Sequence, residues 1–261
     1  MKMSHLQRRA LQIIGIVFCL LALVRPGRAE PSTPIPAGSP IAGPIRYQFA
    51  IYYLGLPPNS PMSVLQSRLK LIEQSPKLVA SIPDRPAAPL VQATLNTDVQ
   101  KTYAPPSPDA LQRFGRGLTR DQALAMRSSR QALILDFAHP QSSSLLAYRS
   151  SLQLTEQIAR DTDGLLWDEE TREVFSTDEW HKRRLDGWDG GIPDLQQHTV
   201  IHAYKGDKLV RAITLGMVKF GLPDVVVSDF SWSSNRPMGN LISLFSQAML
   251  EGGQHRRARV L

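Results

Sequence analysis

Hydrophobic and polar positions change period several times along this chain. Arg46–Leu54 alternates, with Tyr47, Phe49, Ile51 and Tyr53 on one side and Ala50 and Tyr52 on the other, which predicts a strand. Pro57-Pro58-Asn59-Ser60-Pro61 stops it. Ser60 can cap a helix with Pro61 at its first position, and Met62, Leu65, Leu69 and Ile72 then recur at helical spacing. Lys77–Ile82 and Leu90–Gln100 read as two shorter extended pieces, and Thr119–Ser129 as a helix capped by Thr119 and anchored by Leu124.

The second half carries longer elements. Ala132–Phe137 is apolar enough for a central strand, interrupted only by Asp136. A helix over Ser143–Arg160 puts Leu145, Tyr148, Leu152 and Ala159 on one face, widened by Ile158, and Asp163-Gly164 supplies its stop. Leu165–Asp168 and Glu173–Phe175 pair around Glu169-Glu170-Thr171-Arg172. Ser176-Thr177-Asp178-Glu179 is a capping box opening a helix to about Leu185. A second hairpin joins Thr199–Tyr204 to Lys208–Leu215 across Gly206-Asp207, and Val225–Asp229 adds a strand. The last helix, about Pro237–Leu250, aligns Met238, Leu241, Ile242, Phe245, Ala248 and Met249 on one stripe and ends at Gly252-Gly253. Mixed strands and helices with several hairpins predict an α+β fold, a mixed or antiparallel sheet with helices packed on it. Both halves open strand–helix–strand–strand, which raises two similar βαββ halves as an arrangement, although no matching residues link them.

Composition changes the picture mainly at the amino terminus. Lys2, Arg8 and Arg9 precede an apolar run from Ala10 to Val24, and Gly27 and Ala29 occupy the −3 and −1 positions of a cleavage site. Residues 1–29 therefore read as a signal peptide, the run being shorter than the roughly 20 residues a membrane span needs. Retention as an uncleaved inner-membrane anchor is the alternative. Residues 30–44, rich in Pro, Ser and Gly, read as a tether. The body covers 45–251, either undivided or with a sub-boundary near 105–130, and 252–261 forms a basic tail. The formal charge of +7 misleads. Residues 1–29 contribute five basic residues and no acid, so the rest carries 25 basic against 23 acidic side chains, a net of +2. Such a body is poorly suited to nucleic acid. The only cysteine, Cys19, leaves with the signal, so no thiolate nucleophile or zinc–thiolate site is expected in an oxidising compartment.

Candidate chemistry is sparse. Asp136 and His139, with Asp168, are the residues an acid–base hydrolase would use, but the odd spacing of the first two sends them to opposite faces of a strand unless the chain turns at Ala138. His198 and His202 lie in an alternating stretch, about 13 Å apart if extended, which is too far to share a metal. Asp161-x-Asp163-Gly164 lacks two ligands of a calcium loop, and Asp168-Glu169-Glu170 reads as a solvated hairpin tip. No metal or cofactor is expected. Trp180 and Trp188, among Asp186-Gly187 and Asp189-Gly190-Gly191, and Trp232, among Ser233, Ser234, Asn235 and Arg236, are the candidate binding residues; closing the edge of the core is the competing role for each tryptophan.

Leu165-Leu166-Trp167-Asp168, Val174-Phe175-Ser176 to Trp180, and Thr214-Leu215-Gly216-Met217-Val218-Lys219-Phe220-Gly221-Leu222-Pro223-Asp224 resemble an uncharacterised family of exported bacterial α+β domains, marked by a Gly-Met-x-Lys-Phe-Gly-x-Pro-Asp run. The likeness spans roughly the last 100 residues. It implies a compact α+β domain and no activity. In this run Gly216 and Gly221 permit tight turns, and Lys219 and Asp224 are placed to pair. Together these features lead to the expectation of a periplasmic or secreted cell-envelope protein. It would bind an envelope protein or small ligand without catalysing a reaction, and would touch the membrane only through its signal. An extracytoplasmic hydrolase and a homo-oligomer with an apolar last helix are the alternatives.

Overall fold

The computed structural model describes residues 41–258, apart from 42 and 207. The signal at 1–29 and residues 30–40 of the tether lie outside the described residues, as do 259–261 of the basic tail. Among the described residues no helix is long and apolar enough to cross a membrane.

The fold is α+β. Its central strand, β1 (Ile45–Tyr53), alternates as the sequence dictates. Tyr47, Phe49, Ile51 and Tyr53 belong to one core, and Ala50 and Tyr52 to another on the opposite face. Seven strands form one sheet: with β2 (Lys77–Leu78), β3 (Leu90–Asn96), β4 (Gly115–Arg116), β5 (Gln131–His139), β6 (Gly164–Asp168) and β7 (Glu173–Phe175), the order is β2-β3-β5-β1-β6-β7-β4. The β2–β3 and β4–β7 pairs at the two rims are parallel and the other pairs antiparallel. The sheet is therefore mixed. Phe49 sits opposite Leu135 on one side and Asp168 on the other.

The first face is covered by α1 (Pro61–Arg68) and by α5 (Ser144–Thr162), which bury Leu65, Tyr148, Leu152 and Ile158 against β1 and β5. The second face lies under α2 (Val99–Thr102), α3 (Pro108–Phe114) and α4 (Arg120–Ala125) with its following turn. These bring Val99, Leu111 and Met126 onto Ala50, Tyr52 and Leu165. The run β1-α1-β2-β3 and the run β5-α5-β6-β7 do share their element order, but their strands are placed differently. The β2–β3 pair is parallel and the β6–β7 pair antiparallel, and the outer strand comes third in the first run and last in the second.

Local chemistry explains where elements depart from expectation. The extended piece foreseen over Leu90–Gln100 ends at Asn96, whose side-chain oxygen accepts the Asp98 amide and turns the chain into α2. Helix α3 had no counterpart in the hydrophobic pattern. Ser107 caps it by accepting the Ala110 amide, with Pro108 at its first position. At the end of α5 the two stop residues exchange roles: Asp163 takes the left-handed conformation (φ 53°), while Gly164 begins β6. A Cβ on Gly164 would come within 2.2 Å of Ile51 Cγ2, so glycine serves there by letting β1 approach.

Of the expected capping box only the Ser176 half forms, its hydroxyl accepting the Glu179 amide while the Glu179 carboxylate accepts from Arg183; it opens α6 (Thr177–Trp180), which continues as a π-helical segment, His181–Leu185. Two smaller sheets follow, β8 (Trp188–Asp189) with β9 (Ile192–Pro193), and β10 (Val200–Lys205), β11 (Val210–Leu215) and β12 (Val226–Phe230). Against the latter packs α7 (Asn235–Ala258), sharing Val210, Ala212, Phe230 and Ile242 as a third core. Helix α7 runs through Gly252-Gly253, because glycine lowers helix stability by about 1 kcal/mol without forbidding the conformation. Its apolar stripe splits. Ile242 is buried and Met238 and Met249 half-buried, whereas Leu241, Phe245 and Ala248 face outward.

Candidate functional site

The densest chemistry in the molecule is an ion cluster buried at the end of β6. Asp168, on the α1/α5 face with Phe49, accepts from Lys219 Nζ at 2.5 Å and from Arg184 at 3.0 Å through one oxygen. Its other oxygen accepts the Glu170 and Thr171 amides at 3.1 and 3.3 Å. Arg184 also donates to Glu173 at 3.1 Å and stands over the Phe175 ring at 4.6 Å. Arg116 closes the chain of charges on Glu173. The solvated hairpin tip expected at Asp168 is thus corrected. Asp168 and Lys219 are fully buried and Arg184 is 1% exposed.

The sequence builds this cluster from separate elements. Arg184 comes from the π-helical segment. Lys219 comes from a short turn, Met217–Phe220, bounded by Gly216 and Gly221 at φ 103° and 68°, both in the left-handed region. Lys219 therefore does not pair with Asp224, which instead accepts from Thr214 Oγ1 and the Met217 amide and so fixes the turn. Burial opposes a charge on Asp168, but Lys219 and Arg184 outweigh it and hold the carboxyl below the usual carboxylate range. Nearby, the Tyr148 hydroxyl and His198 Nδ1 share a hydrogen bond of 2.9 Å. Burial, with Arg184 and Lys219 adding to it, holds the His198 imidazole well below its ordinary pKa, so the ring is neutral at pH 7. His198 lies at the end of a 3-10 turn and not in the strand expected for it, while His202 is on β10 and stacks on Phe114 at 5.1 Å.

The proposed acid–base residues are not brought together. Asp136 and His139 project from opposite faces of β5, because the strand persists through Ala138 without turning. Asp136 accepts from Gln48 Nε2 at 2.7 Å, in a chain that continues through Tyr103 to Glu169 and the Trp167 indole. His139 is buried beside Tyr47 and contacts the Pro140 carbonyl through Nδ1 at 3.1 Å. Asp168 shares the face of His139 but sits opposite Phe49, whereas His139 sits opposite Ile45, four residues or about 13 Å along β1. One cleft cannot hold all three.

The tryptophans separate. Trp180 is buried edge-on to Phe49 at 5.1 Å and donates to the Leu152 carbonyl, a core residue. Trp232 is 52% exposed near Lys205, and Asn235 begins α7. Trp188 is half-buried, donates to the Arg184 carbonyl, and lines a groove of about 600 Å³ between the β8–β9 hairpin and α7. Four carboxylates, Asp186, Asp189, Asp194 and Glu251, border that groove, with Leu244 and Gln247 as its α7 wall. Gln247 anchors the wall by accepting the Leu195 amide and donating to the Pro193 carbonyl.

The chain matches no family model, no curated protein and no solved structure. In the buried cluster each carboxylate and cation already has an opposite charge in the chain, although Arg184 Nε itself makes no hydrogen bond. The groove and the neighbouring face of α7 are open. Leu241, Leu244 and Phe245 there are 57%, 68% and 45% exposed, although the helix has a buried apolar side of its own. Sequence patterning had aligned Leu241 and Phe245 with Ile242 on one apolar stripe without saying which of them would be covered. The excess of apolar positions, spread over more than half the helix circumference, was the available signal that one flank would stay uncovered.

Proposed function

We propose that this protein is an exported, non-catalytic interaction domain of the bacterial cell envelope, and that it docks through the outer face of α7 and the adjoining Trp188 groove. The observation that carries the reading is the row Leu241, Leu244 and Phe245 standing in solvent on a helix already anchored by Ile242. Scattered exposed leucines are ordinary, but three on one flank beside an aromatic-lined groove form a contiguous surface of the kind partners cover. Export is supported by the basic and apolar pattern of residues 1–29 with small residues at 27 and 29, and by a chain that keeps no cysteine beyond Cys19. The likeness of the Gly216–Asp224 run to uncharacterised exported domains agrees with that placement and adds no activity.

A photo-reactive residue placed at position 244 in expressing cells tests the reading. Cross-linked adducts in the envelope fraction, on chains whose intact mass begins at Glu30, are the expected result. Absence of any adduct, or recovery of chains starting at Met1 in the cytosol, overturns it.

A further inference from the structure

We infer that the occupant of this surface is a second copy of the same chain, with the two α7 helices packed antiparallel about a two-fold axis and Arg236 of each copy set against the carboxylates of the other's groove. The inference rests on the reading of α7 as an interaction face and names its partner.

The stripe itself has the required form. Leu241, Leu244, Phe245 and Ala248, all exposed, follow i, i+3, i+4 and i+7, the spacing of a seam between two helices. They sit near the middle of a helix that runs from Asn235 to Ala258, so an antiparallel mate centred on them overlaps it along most of its length. A two-fold contact is self-complementary: where residue i of one copy meets residue j of the other, j of the first meets i of the second, and only residues on the axis meet their own counterparts.

Charge selects this mate and this direction. At 3.6 residues per turn, Arg236, Asn240 and Glu251 fall on the same flank of the stripe, the side of Leu244. Arg236 precedes Leu244 by eight residues and Glu251 follows it by seven, and both are exposed. Antiparallel pairing about Leu244 therefore carries Arg236 of one copy to Glu251 of the other, twice per dimer. Glu251 stands in the groove with Asp189 and Asp194, and with Asp186, which contacts His181; although Arg149 lies over the Trp188 ring, carboxylates outnumber cations there and favour an arriving guanidinium. A parallel arrangement would instead put Arg236 against Arg236 and the two carboxylate groups against each other.

Sedimentation of the protein as it accumulates in expressing cells tests the proposal. A dimer at micromolar concentration is expected, reduced to monomer by Leu244→Glu with an unchanged circular dichroism spectrum. Arg236→Glu should weaken association about tenfold, and Glu251→Arg added to it should restore the loss. A wild-type monomer throughout, or a dimer indifferent to Leu244→Glu, overturns the pairing. The photo-reactive residue at position 244 separates the two ideas. Adducts of other mass on a monomeric protein defeat the pairing and leave the interaction reading standing, whereas no adduct at all defeats both.

Discussion

The interior around Asp168 and the outer face of α7 invert the usual placement of residues in opposite senses. Around Asp168, two carboxylates and two cations lie within a few per cent of complete burial. On α7, Leu244 is 68% exposed. Charged side chains are almost never fully buried unless paired, and here each has its opposite within 3.1 Å. The interior charges are thus paired inside the chain, although Arg184 Nε is left without a hydrogen bond. The exterior side chains are not matched, since nothing among the described residues covers Leu241, Leu244 and Phe245. Asp168, a candidate acid in the sequence, is held by ion pairs of the chain's own, whereas the uncovered face of α7 is apolar.

The strongest way to break this comparison is to remove one charge from the interior. Asp168→Asn keeps an acceptor for the Glu170 and Thr171 amides but takes from Lys219 its ion-pair partner and leaves Arg184 with Glu173 alone. A loss of about 3–5 kcal/mol in unfolding free energy is expected, measured by urea titration. Lys219→Met added to it should recover a large part, because a neutralised pair no longer strands a buried cation. If the double variant were as unstable as the sum of the singles, the cluster would not be acting as an ion pair.

Proton linkage sharpens the same contrast. His198 is buried and neutral in the folded chain, its pKa depressed by burial and by Arg184 and Lys219. In the unfolded chain it titrates near 6.5. Below that pH the unfolded state holds a proton that the folded state refuses, so stability falls by up to about 1.4 kcal/mol per pH unit. Asp168, also depressed when folded, adds its loss only at lower pH: its contribution is present above the unfolded carboxylate value and disappears as pH falls through the folded one. Unfolding free energy measured between pH 7 and pH 5 should therefore slope downward in the wild type and less steeply in His198→Gln, where His202, also lowered by burial, keeps part of the slope. An equal slope in both would mean that His198 is protonated in the folded chain.

The sequence discloses the frame of the molecule better than its chemistry, for a physical reason. Strand alternation in β1, the Ser176 cap and the β6–β7 hairpin depend on neighbours a few residues apart, and all three are present. The separation of Asp136 from His139 was equally readable, because period two alone sends them to opposite faces. The cluster was not readable. Arg184 and Lys219 lie 16 and 51 residues from Asp168, so Asp168-Glu169-Glu170 shows only its local, turn-like character. The one hint was Lys219 itself, a lone cation between Val218 and Phe220 in an apolar run. On α7 the pattern named most of the apolar positions, leaving Leu244 and Leu250 off the stripe, and which of them would meet β11 depends on where the helix lies across that sheet, information periodicity does not carry.

The smallest expected effect is the most discriminating. Ile242 and Leu244 stand two residues apart on α7, one 1% exposed and the other 68%. Truncating Ile242 to Ala should cost about 2–5 kcal/mol, since the vacated volume lies between α7 and β11. Truncating Leu244 to Ala removes carbon that is already in water and installs a better helix former, so the dilute chain should change by less than about 0.5 kcal/mol. If two copies pair through this face, the cost of Leu244→Ala must grow as protein concentration rises, because association stabilises the folded form by mass action. Thermal unfolding of both variants over a range of concentrations reads this directly. A Leu244→Ala cost as large as that of Ile242→Ala and independent of concentration would place Leu244 in the chain's own core and dissolve the distinction between the two regions.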